Sequence, residues 1–131
     1  MPFEDCKIGR DVRLIDPANV YGCEIGDHVR ISPFVEIQRG VKVGSWVKIG
    51  SHTFICAGTR IGEHCFIGHG VMFCNDRWPR SSIDGRLKEA DDWQCDAPMV
   101  GAGASIGTGA VILPGVNIGV AAMVGAGAVV T

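Results

Sequence analysis

The sequence predicts an all-β protein: a parallel β-helix of about six coils with one protruding loop over residues 74–99, forming a single domain across residues 1–131. Three observations predict it: an aliphatic residue at every sixth position, glycine after many of them, and a composition poor in helix formers. Of 131 residues, 19 are glycine and only three are leucine. Glycine and β-branched residues favour short strands joined by tight turns over helices.

The six-residue period defines the coil. Its aliphatic positions are Ile8, Leu14, Val20, Ile25, Ile31, Ile37, Val43, Ile49, Ile55, Ile61, Ile67, Val100, Ile106, Ile112, Ile118, Val124 and Val130, with Phe73 as an aromatic member. Frequent glycine prevents one long strand, so the chain bends at each repeat. Three bends close a coil of 18 residues, and coils stacked at ~4.8 Å pair their backbones. The 18 positions then make six coils, roughly 29 Å tall at that spacing.

The loop over residues 74–99 interrupts this period. It contains turn-forming residues and two tryptophans, Trp78 and Trp93. The repeat resumes in phase, because Val100, Ile106 and Ile112 follow in the order of Ile61, Ile67 and Phe73. We therefore expect a flap that leaves one corner without disturbing the stack, and such loops on rigid scaffolds often carry function.

Composition excludes several classes of protein. The formal charge is −2 with scattered basic residues, which argues against binding to nucleic acid or anionic lipid. No apolar run approaches the ~20 residues of a membrane helix, and Glu4 and Asp5 lie where a leader would be basic. We expect a soluble, cytoplasmic protein with no membrane or nucleic-acid partner. Its six cysteines form no C-x-x-C pair, so we expect reduced, packed thiols.

The hexapeptide pattern resembles that of the left-handed β-helix acyltransferases, and the left-handed winding is taken from this resemblance. Three stretches, at 51–56, 67–73 and 75–79, resemble nucleotide-sugar N-acetyltransferases. These enzymes acetylate the 3-amino group of UDP- or dTDP-linked amino sugars for surface polysaccharides. The resemblance implies acetyl-CoA as donor, no metal, a nucleotide-sugar substrate, and a homotrimer with its sites between subunits.

The same resemblance supplies candidate site residues. They are Asn75 and His69 as the catalytic pair, Glu36, His52, Asp76 and Trp78 for the substrate, and Thr108, Ala126 and Thr131 for the coenzyme. Asn75 would orient the sugar, His69 would border the acetyl group, and Trp78 with the flap would exclude water. Glycine- and alanine-rich coils would let the pantetheine arm approach the backbone. Each candidate also has a structural explanation: an Asn-Asp turn opening the loop, solvated coil residues, or small residues closing corners.

Two departures from related patterns bear on the chemistry. Trp78 stands before Pro79, where sugar O-acetyltransferases of this fold have a catalytic histidine, and Ala57 stands where many closer relatives have glutamate. An alcohol needs a base worth ~10² to 10⁴ in rate. An amine with a pKa near ~8 is about a tenth unprotonated at neutral pH and attacks with its own lone pair. The expected reaction is therefore direct N-acetyl transfer.

Three alternatives remain open. One is a sugar O-acetyltransferase that uses another base, and another is a non-catalytic β-helix scaffold, which Ala57 favours. The third is a γ-class-like zinc hydratase using histidines. His28 and His64 share one hexapeptide place but lie two coils, or about 9.6 Å, apart, with Trp46 between them. That arrangement opposes three nitrogens at ~2.1 Å from one zinc ion.

Overall fold

The computed structural model describes residues 3–131, which form one parallel β-solenoid with a flap. The strands in chain order are β1 Phe3–Glu4, β2 Lys7–Ile8, β3 Arg13–Leu14, β4 Asn19–Tyr21, β5 Glu24–Ile25, β6 Arg30–Ile31, β7 Glu36–Ile37, β8 Lys42–Val43, β9 Lys48–Ile49, β10 Phe54–Ile55, β11 Arg60–Ile61, β12 Phe66–Ile67, β13 Met72–Phe73, β14 Ser82–Ile83, β15 Arg86–Leu87, β16 Met99–Val100, β17 Ser105–Ile106, β18 Val111–Ile112, β19 Asn117–Ile118, β20 Met123–Val124 and β21 Val129–Val130. A short 3₁₀ helix spans Ala90–Asp92. None of the helical structure within residues 3–131 is long and apolar enough to cross a bilayer.

Three parallel sheets make the faces of the solenoid. Face 1 contains β1, β4, β7, β10, β13, β18 and β21; face 2 contains β2, β5, β8, β11, β16 and β19; face 3 contains β3, β6, β9, β12, β17 and β20. The predicted fold class is confirmed, and the architecture is consistent with a left-handed β-helix. Beyond the six predicted coils the structure adds one strand, because Phe3 pairs with Val20 on face 1. The period did not reveal it, since Phe3 lies five residues before Ile8 rather than six.

The aliphatic columns fill the interior of the prism. Ile37, Ile55, Ile67 and Ile112 are all fully buried, and Phe73 occupies the same column as Ile55 and Ile112. Most residues four positions after an aliphatic residue of the repeat, such as Val29, Val35 and Ala104, are also buried. Their inward position explains why most of them are small or β-branched. Close packing of this kind makes each coil a rigid platform for the side chains on its corners.

The flap leaves the stack as predicted. Ile61 pairs with Val100, and Phe73 pairs with Ile112, so the coils before and after the flap remain in register. The flap begins after β13 at the corner between faces 1 and 2, and its strands β14 and β15 form an antiparallel hairpin. The base is closed by the Asp96 N–H, which donates to the Asn75 carbonyl over 2.8 Å.

The corner between faces 3 and 1, here called corner 3/1, changes character along the solenoid. Its lower coils, those nearer the N-terminus, place Phe34 and His52 at positive φ values of 65° and 64°, which residues with a side chain rarely adopt. Its upper coils place Gly70, Gly109 and Gly127 at the equivalent positions. The corner is therefore lined by aromatic rings below and is bare above.

Candidate functional site

His69 lies on corner 3/1, in the turn between β12 and β13 and directly before Gly70, and it is exposed. Its Nδ1 accepts a hydrogen bond from the backbone N–H of Ser51 over 3.0 Å and lies 3.1 Å from Ser51 Oγ. A ring nitrogen that accepts from a backbone N–H carries no proton, so the neutral ring carries its proton on Nε2. His69 therefore offers an N–H donor to a ligand.

Small residues stack above His69 as the repeat predicts. The His69 carbonyl accepts from the Gly109 N–H, and the Thr108 carbonyl accepts from the Gly127 N–H, each over 2.8 Å. A Cβ built on Gly70, Gly109 or Gly127 meets no atom within 4 Å. The backbone beside His69 and Thr108 is thus open to an extended ligand.

Ala126 continues this column, but Thr131 does not. A Cβ on Gly107 would collide with the Ala126 backbone nitrogen in the coil above, as one on Gly68 would collide with that of Thr108. Thr131 follows Val130 at the end of face 1, where it lines a cavity of about 400 Å³ with Cys74, Asp76 and Pro79. Thr131 belongs to a different corner because it comes one residue after a face 1 strand. Thr131 therefore does not continue the column of Thr108 and Ala126, and its contact with the coenzyme stays a prediction.

Asn75 lies at the other end of face 1, at the flap base. It is half-buried, and its Nδ2 donates to the carbonyl of Ala57 in the coil below over 3.0 Å. Strand β13 separates Asn75 from His69, so the two catalytic candidates occupy opposite ends of one face in the same coil. Within a single chain the structure does not bring them together.

The flap candidates form a turn and an open cavity. Asp76 Oδ1 accepts from the Trp78 N–H over 3.2 Å. Asp76, Trp78, Lys88 and Trp93 help line a cavity of about 370 Å³. The Trp78 side chain is 78% exposed. Exclusion of water by its ring, as the sequence led us to expect, would require a second surface against it.

The remaining substrate candidates lie on lower coils. Glu36 is on the outside of face 1, where its Oε2 accepts from Gln38 Nε2 over 3.2 Å and from Tyr21 over 3.4 Å. His52 lies on corner 3/1 one coil below Gly70, with its ring centroid 4.9 Å from that of Phe34. His52 is thus next to the open part of the corner, and Glu36 faces the adjoining side.

A groove on the outside of face 3 was not singled out from the sequence. It has a volume of about 190 Å³ and is lined by residues that include Arg30, Ser32, Lys48, Phe66 and His69. The signal in the sequence was the basic residue at the first strand position in successive repeats of this face. Only the stacking of the coils places those residues below His69.

The other histidines form an aromatic stack on the corner between faces 2 and 3. The His28 and Trp46 ring centroids are 4.1 Å apart, and those of Trp46 and His64 are 6.2 Å apart. The Trp46 ring lies between the two imidazoles, so they cannot share one ion. Within residues 3–131 no three His, Cys, Asp or Glu side chains are grouped to hold a metal. This geometry does not favour the zinc-hydratase alternative.

Three of the six cysteines are packed in the interior rather than reactive. Burial raises the pKa of Cys23 to about 12 and that of Cys56 to about 11, and it also raises the pKa of Cys65. Thiolates attack and thiols do not, so these side chains are poor nucleophiles at neutral pH. They contribute to the interior of the solenoid.

The fold and the open corner define a class: a three-faced parallel β-solenoid built from hexapeptide repeats. The family model described as bacterial transferase hexapeptide (six repeats) matches residues 22–57, which confirms the resemblance to hexapeptide-repeat proteins. Over 145 aligned residues the chain is 27% identical to the bifunctional protein GlmU of Acidithiobacillus ferrooxidans. That alignment covers 98% of this chain and 29% of GlmU, so the chain spans less than a third of the curated relatives it matches.

Solved structures share the fold at low sequence identity. A mutant of AntD, an N-acyltransferase from Bacillus cereus, in complex with dTDP and coenzyme A superposes with a TM-score of 0.78 at 22% identity, covering 95% of this chain and 72% of AntD. A second AntD mutant, with dTDP-4-amino-4,6-dideoxyglucose and coenzyme A, gives 0.78 at 21%, covering 95% and 71%. WeeI from Acinetobacter baumannii AYE gives 0.63 at 17%, covering 88% and 48%.

Proposed function

We propose that this protein is an acetyltransferase that moves acetyl from acetyl-CoA to the 3-amino group of a nucleotide-linked amino sugar. One observation carries the proposal: His69, whose ring proton is on Nε2, lies at the foot of an unobstructed glycine corner. The AntD structures, which hold coenzyme A together with dTDP or a dTDP-linked amino sugar, support an acyl transfer on this fold.

The reaction requires little beyond positioning. The sugar amine attacks the thioester carbonyl carbon, a C–N bond forms, and the C–S bond breaks. Sulfur leaves as the coenzyme thiolate and takes up the proton that the nitrogen loses, which leaves an amide and free CoA. His69 Nε2–H donates to the carbonyl oxygen as its negative charge develops, an interaction that strengthens towards the transition state.

The acyl donor lies along the upper coils. Thr108 and Ala126 are exposed beside glycines without side chains, which suits the long, thin pantetheine arm. Trp78 replaces the histidine that an alcohol acceptor would need, and this favours an amine acceptor. Nothing in residues 3–131 favours an O-acetyltransferase, and that activity is an outcome of the test below.

We further propose a homotrimer with its sites between subunits. His69 and Asn75 lie at opposite ends of face 1, so Asn75 from one subunit would complete the site of the next. The outward positions of face 1 in the coils from β10 upward are apolar: Phe54, Met72, Val111 and Val129. Those of face 2 include Glu24, Lys42 and Arg60. An apolar face of this kind suits a subunit interface, which would also cover Trp78 and bring Thr131 to a neighbouring site.

With these substrates, we propose a cytoplasmic enzyme that acts in the synthesis of surface polysaccharide. Its acceptor is identified by a panel of dTDP- and UDP-linked sugars carrying a 3-amino, a 4-amino or only hydroxyl groups. The readout is release of the free CoA thiol. We expect release with the 3-amino sugars; release with the 4-amino sugars alone would move the acceptor nitrogen to the position in the sugar bound by AntD.

Other outcomes separate the alternatives. Turnover of hydroxyl sugars alone would establish O-acetyl transfer. A wild-type protein that shows neither thiol release nor a thermal shift with CoA would be a scaffold. Light scattering should give the mass of three chains, and Met72→Glu should reduce it if face 1 is the interface. Asn75→Ala should lower kcat/KM with the trimer intact, and unchanged turnover would remove Asn75 from the site.

A further inference from the structure

Three basic residues stack on the outside of face 3 in successive coils. Arg13 pairs in register with Arg30, and Arg30 pairs with Lys48. Like charges directly opposite on neighbouring strands repel each other. In the same coils, the equivalent positions of face 2 alternate in sign, because Lys7 pairs with Glu24 and Glu24 pairs with Lys42; a like-charge pair follows on face 2 only in the next coil, where Lys42 pairs with Arg60. Face 3 lacks this compensation.

One carboxylate partly neutralises the stack. Asp11 Oδ2 accepts from Arg30 over 3.0 Å, and Asp11 Oδ1 lies 3.6 Å from Arg13 Nε. The same carboxylate also accepts from His28 Nδ1 over 2.9 Å. The ammonium group of Lys48 has no ion pair within residues 3–131. The uncompensated positive charge is therefore concentrated at the upper end of the stack.

The upper end of the stack opens into the face 3 groove. Arg30 and Lys48 line that groove together with Ser32 and His69. Arg30 and Lys48 belong to adjacent coils, about 4.8 Å apart along the solenoid axis. A ligand with two linked negative charges can contact both cations and relieve their repulsion.

We propose that this groove binds the diphosphate of a substrate, with Lys48 and Arg30 as its counter-ions, and so directs the reactive end of that substrate to His69. The proposal rests on the proposed function, in which both the nucleotide sugar and acetyl-CoA contain a diphosphate. Lys48 and Arg30 would act by positioning, because neither reaches the reacting atoms in this arrangement.

Lys48→Glu tests the proposal, with Lys42→Glu as the matched control. Both lysines are exposed at the first position of a two-residue strand, on face 3 and face 2 respectively. Binding of dTDP, UDP, CoA and inorganic pyrophosphate is measured by calorimetry, with uridine, thymidine and pantetheine as probes without a diphosphate. Lys48→Glu should lower the affinity for at least one diphosphate ligand roughly tenfold or more, because charge-assisted hydrogen bonds are lost. Lys42→Glu should bind every probe like the wild type.

The ligand whose affinity falls in Lys48→Glu identifies the source of the diphosphate. Loss for dTDP or UDP assigns the groove to the nucleotide sugar, and loss for CoA but not pantetheine assigns it to the acyl donor. Unchanged affinity for all diphosphates in both Lys48→Glu and Lys48→Gln, with turnover intact, would overturn the subsite but not the proposed function. Pyrophosphate binding that depends on Lys48, in a protein without acyl transfer, would support the groove and overturn the function. Equal melting temperatures exclude misfolding as the cause.

Discussion

The backbone N–H of Ser51 donates to Nδ1 of His69 across one coil step, at 3.0 Å. Because that donor belongs to the peptide backbone, it always carries a proton, and no substitution of Ser51 other than proline removes it. The bond fixes both the orientation of the imidazole and the nitrogen that bears its proton. In the proposed reaction, a histidine held this way would serve the thioester as a hydrogen-bond donor and would not use Nε2 to accept a proton.

The donor role of His69 predicts a specific order of activities. His69→Ala should lower kcat by about 10² to 10³, the usual cost of removing one donor to a developing oxyanion. His69→Gln should recover part of that loss, because the Gln amide supplies an N–H of similar reach. Thiol release under saturating substrates measures the effect. If His69→Gln is as inactive as His69→Ala while His69→Ala is rescued by added imidazole buffer, a base role replaces the donor role.

Ser51→Ala supplies a companion to this test. It removes the hydroxyl 3.1 Å from Nδ1 but leaves the backbone N–H in place. We therefore expect a loss in kcat of only a few-fold, with KM unchanged. His64→Gln serves as the control, because its ring packs beside Trp46 at another corner and should not affect turnover.

The open glycine corner predicts that two glycine-to-alanine substitutions with similar costs in stability will differ in their effect on binding of the acetyl donor. Gly109 and Gly103 have φ values of 74° and 73°, so alanine at either should cost about 1 kcal/mol in free energy of unfolding. A Cβ on Gly109 projects into the open space beside His69, whereas one on Gly103 meets only the Ala121 backbone at 3.9 Å. Gly109→Ala should therefore raise KM for acetyl-CoA, and Gly103→Ala should not. Denaturant unfolding and steady-state kinetics of the two variants make the comparison; equal KM values would place the donor elsewhere.

Most of the fold could be predicted because the period is local. The spacing of Ile61, Ile67 and Phe73 is enough to assign each of them to a face of the solenoid. The repeat begins again at Val100, which pairs with Ile61, so the assignment continues after the flap. The stack of His28, Trp46 and His64 followed from the same arithmetic. In a repeat protein, residues separated by one full coil in sequence are neighbours in space. The residues of one column can therefore be identified from the sequence alone.

The site was less predictable because it depends on which corner a residue occupies. The sequence assigns Thr131 to the coenzyme together with Thr108 and Ala126, yet Thr131 follows a face 1 strand and lies beside the flap. The hydrogen bond that fixes the His69 tautomer joins residues 18 positions apart and leaves no mark in the sequence. The charge stack on face 3 was visible as repeated basic residues, but its meaning depends on the groove beside it.

A buried threonine beneath the site predicts coupling between the core and His69. Thr53 Oγ1 donates to the Gly68 carbonyl over 2.8 Å and accepts from the Val71 N–H over 3.3 Å. The Thr53 hydroxyl thus holds the backbone on both sides of His69, at Gly68 and at Val71. Thr53→Val leaves that carbonyl and N–H without partners in the core, which should lower the free energy of unfolding by ~1 to 3 kcal/mol and also lower kcat.

Thr59→Val is the matched control for this buried position. Thr59 is equally buried, but its hydroxyl contacts only the weakly bonding thiol of Cys56 at 3.2 Å. It should cost less than about 1 kcal/mol and leave turnover unchanged. Chemical denaturation and thiol-release assays on both variants test the coupling. A Thr53→Val enzyme with normal kcat would separate the core from the positioning of His69.

The flap should lose order only in strong acid. Arg86 contacts both carboxylate oxygens of Asp92, at 2.7 and 2.9 Å, and the Glu89 N–H donates to the same group over 2.8 Å. These bonds, with Arg86 first, lower the pKa of Asp92 from 3.8 to about 2. A carboxyl whose pKa is depressed on folding stabilises the folded form fully above its unfolded pKa. Its contribution is then lost as the pH falls from about 4 through 2.

Hydrogen exchange of the flap amides across this pH range, corrected for intrinsic exchange rates, measures the effect. Protection around β14 and β15 should be constant above about pH 4 and should fall between about pH 4 and 2. Asp92→Asn should reduce protection already at neutral pH and flatten the acid transition, because the bidentate ion pair is gone. Asp91→Asn, next along the chain and outside this ion pair, should behave like the wild type. An unchanged transition in Asp92→Asn would mean that the Arg86–Asp92 ion pair does not control the order of the flap.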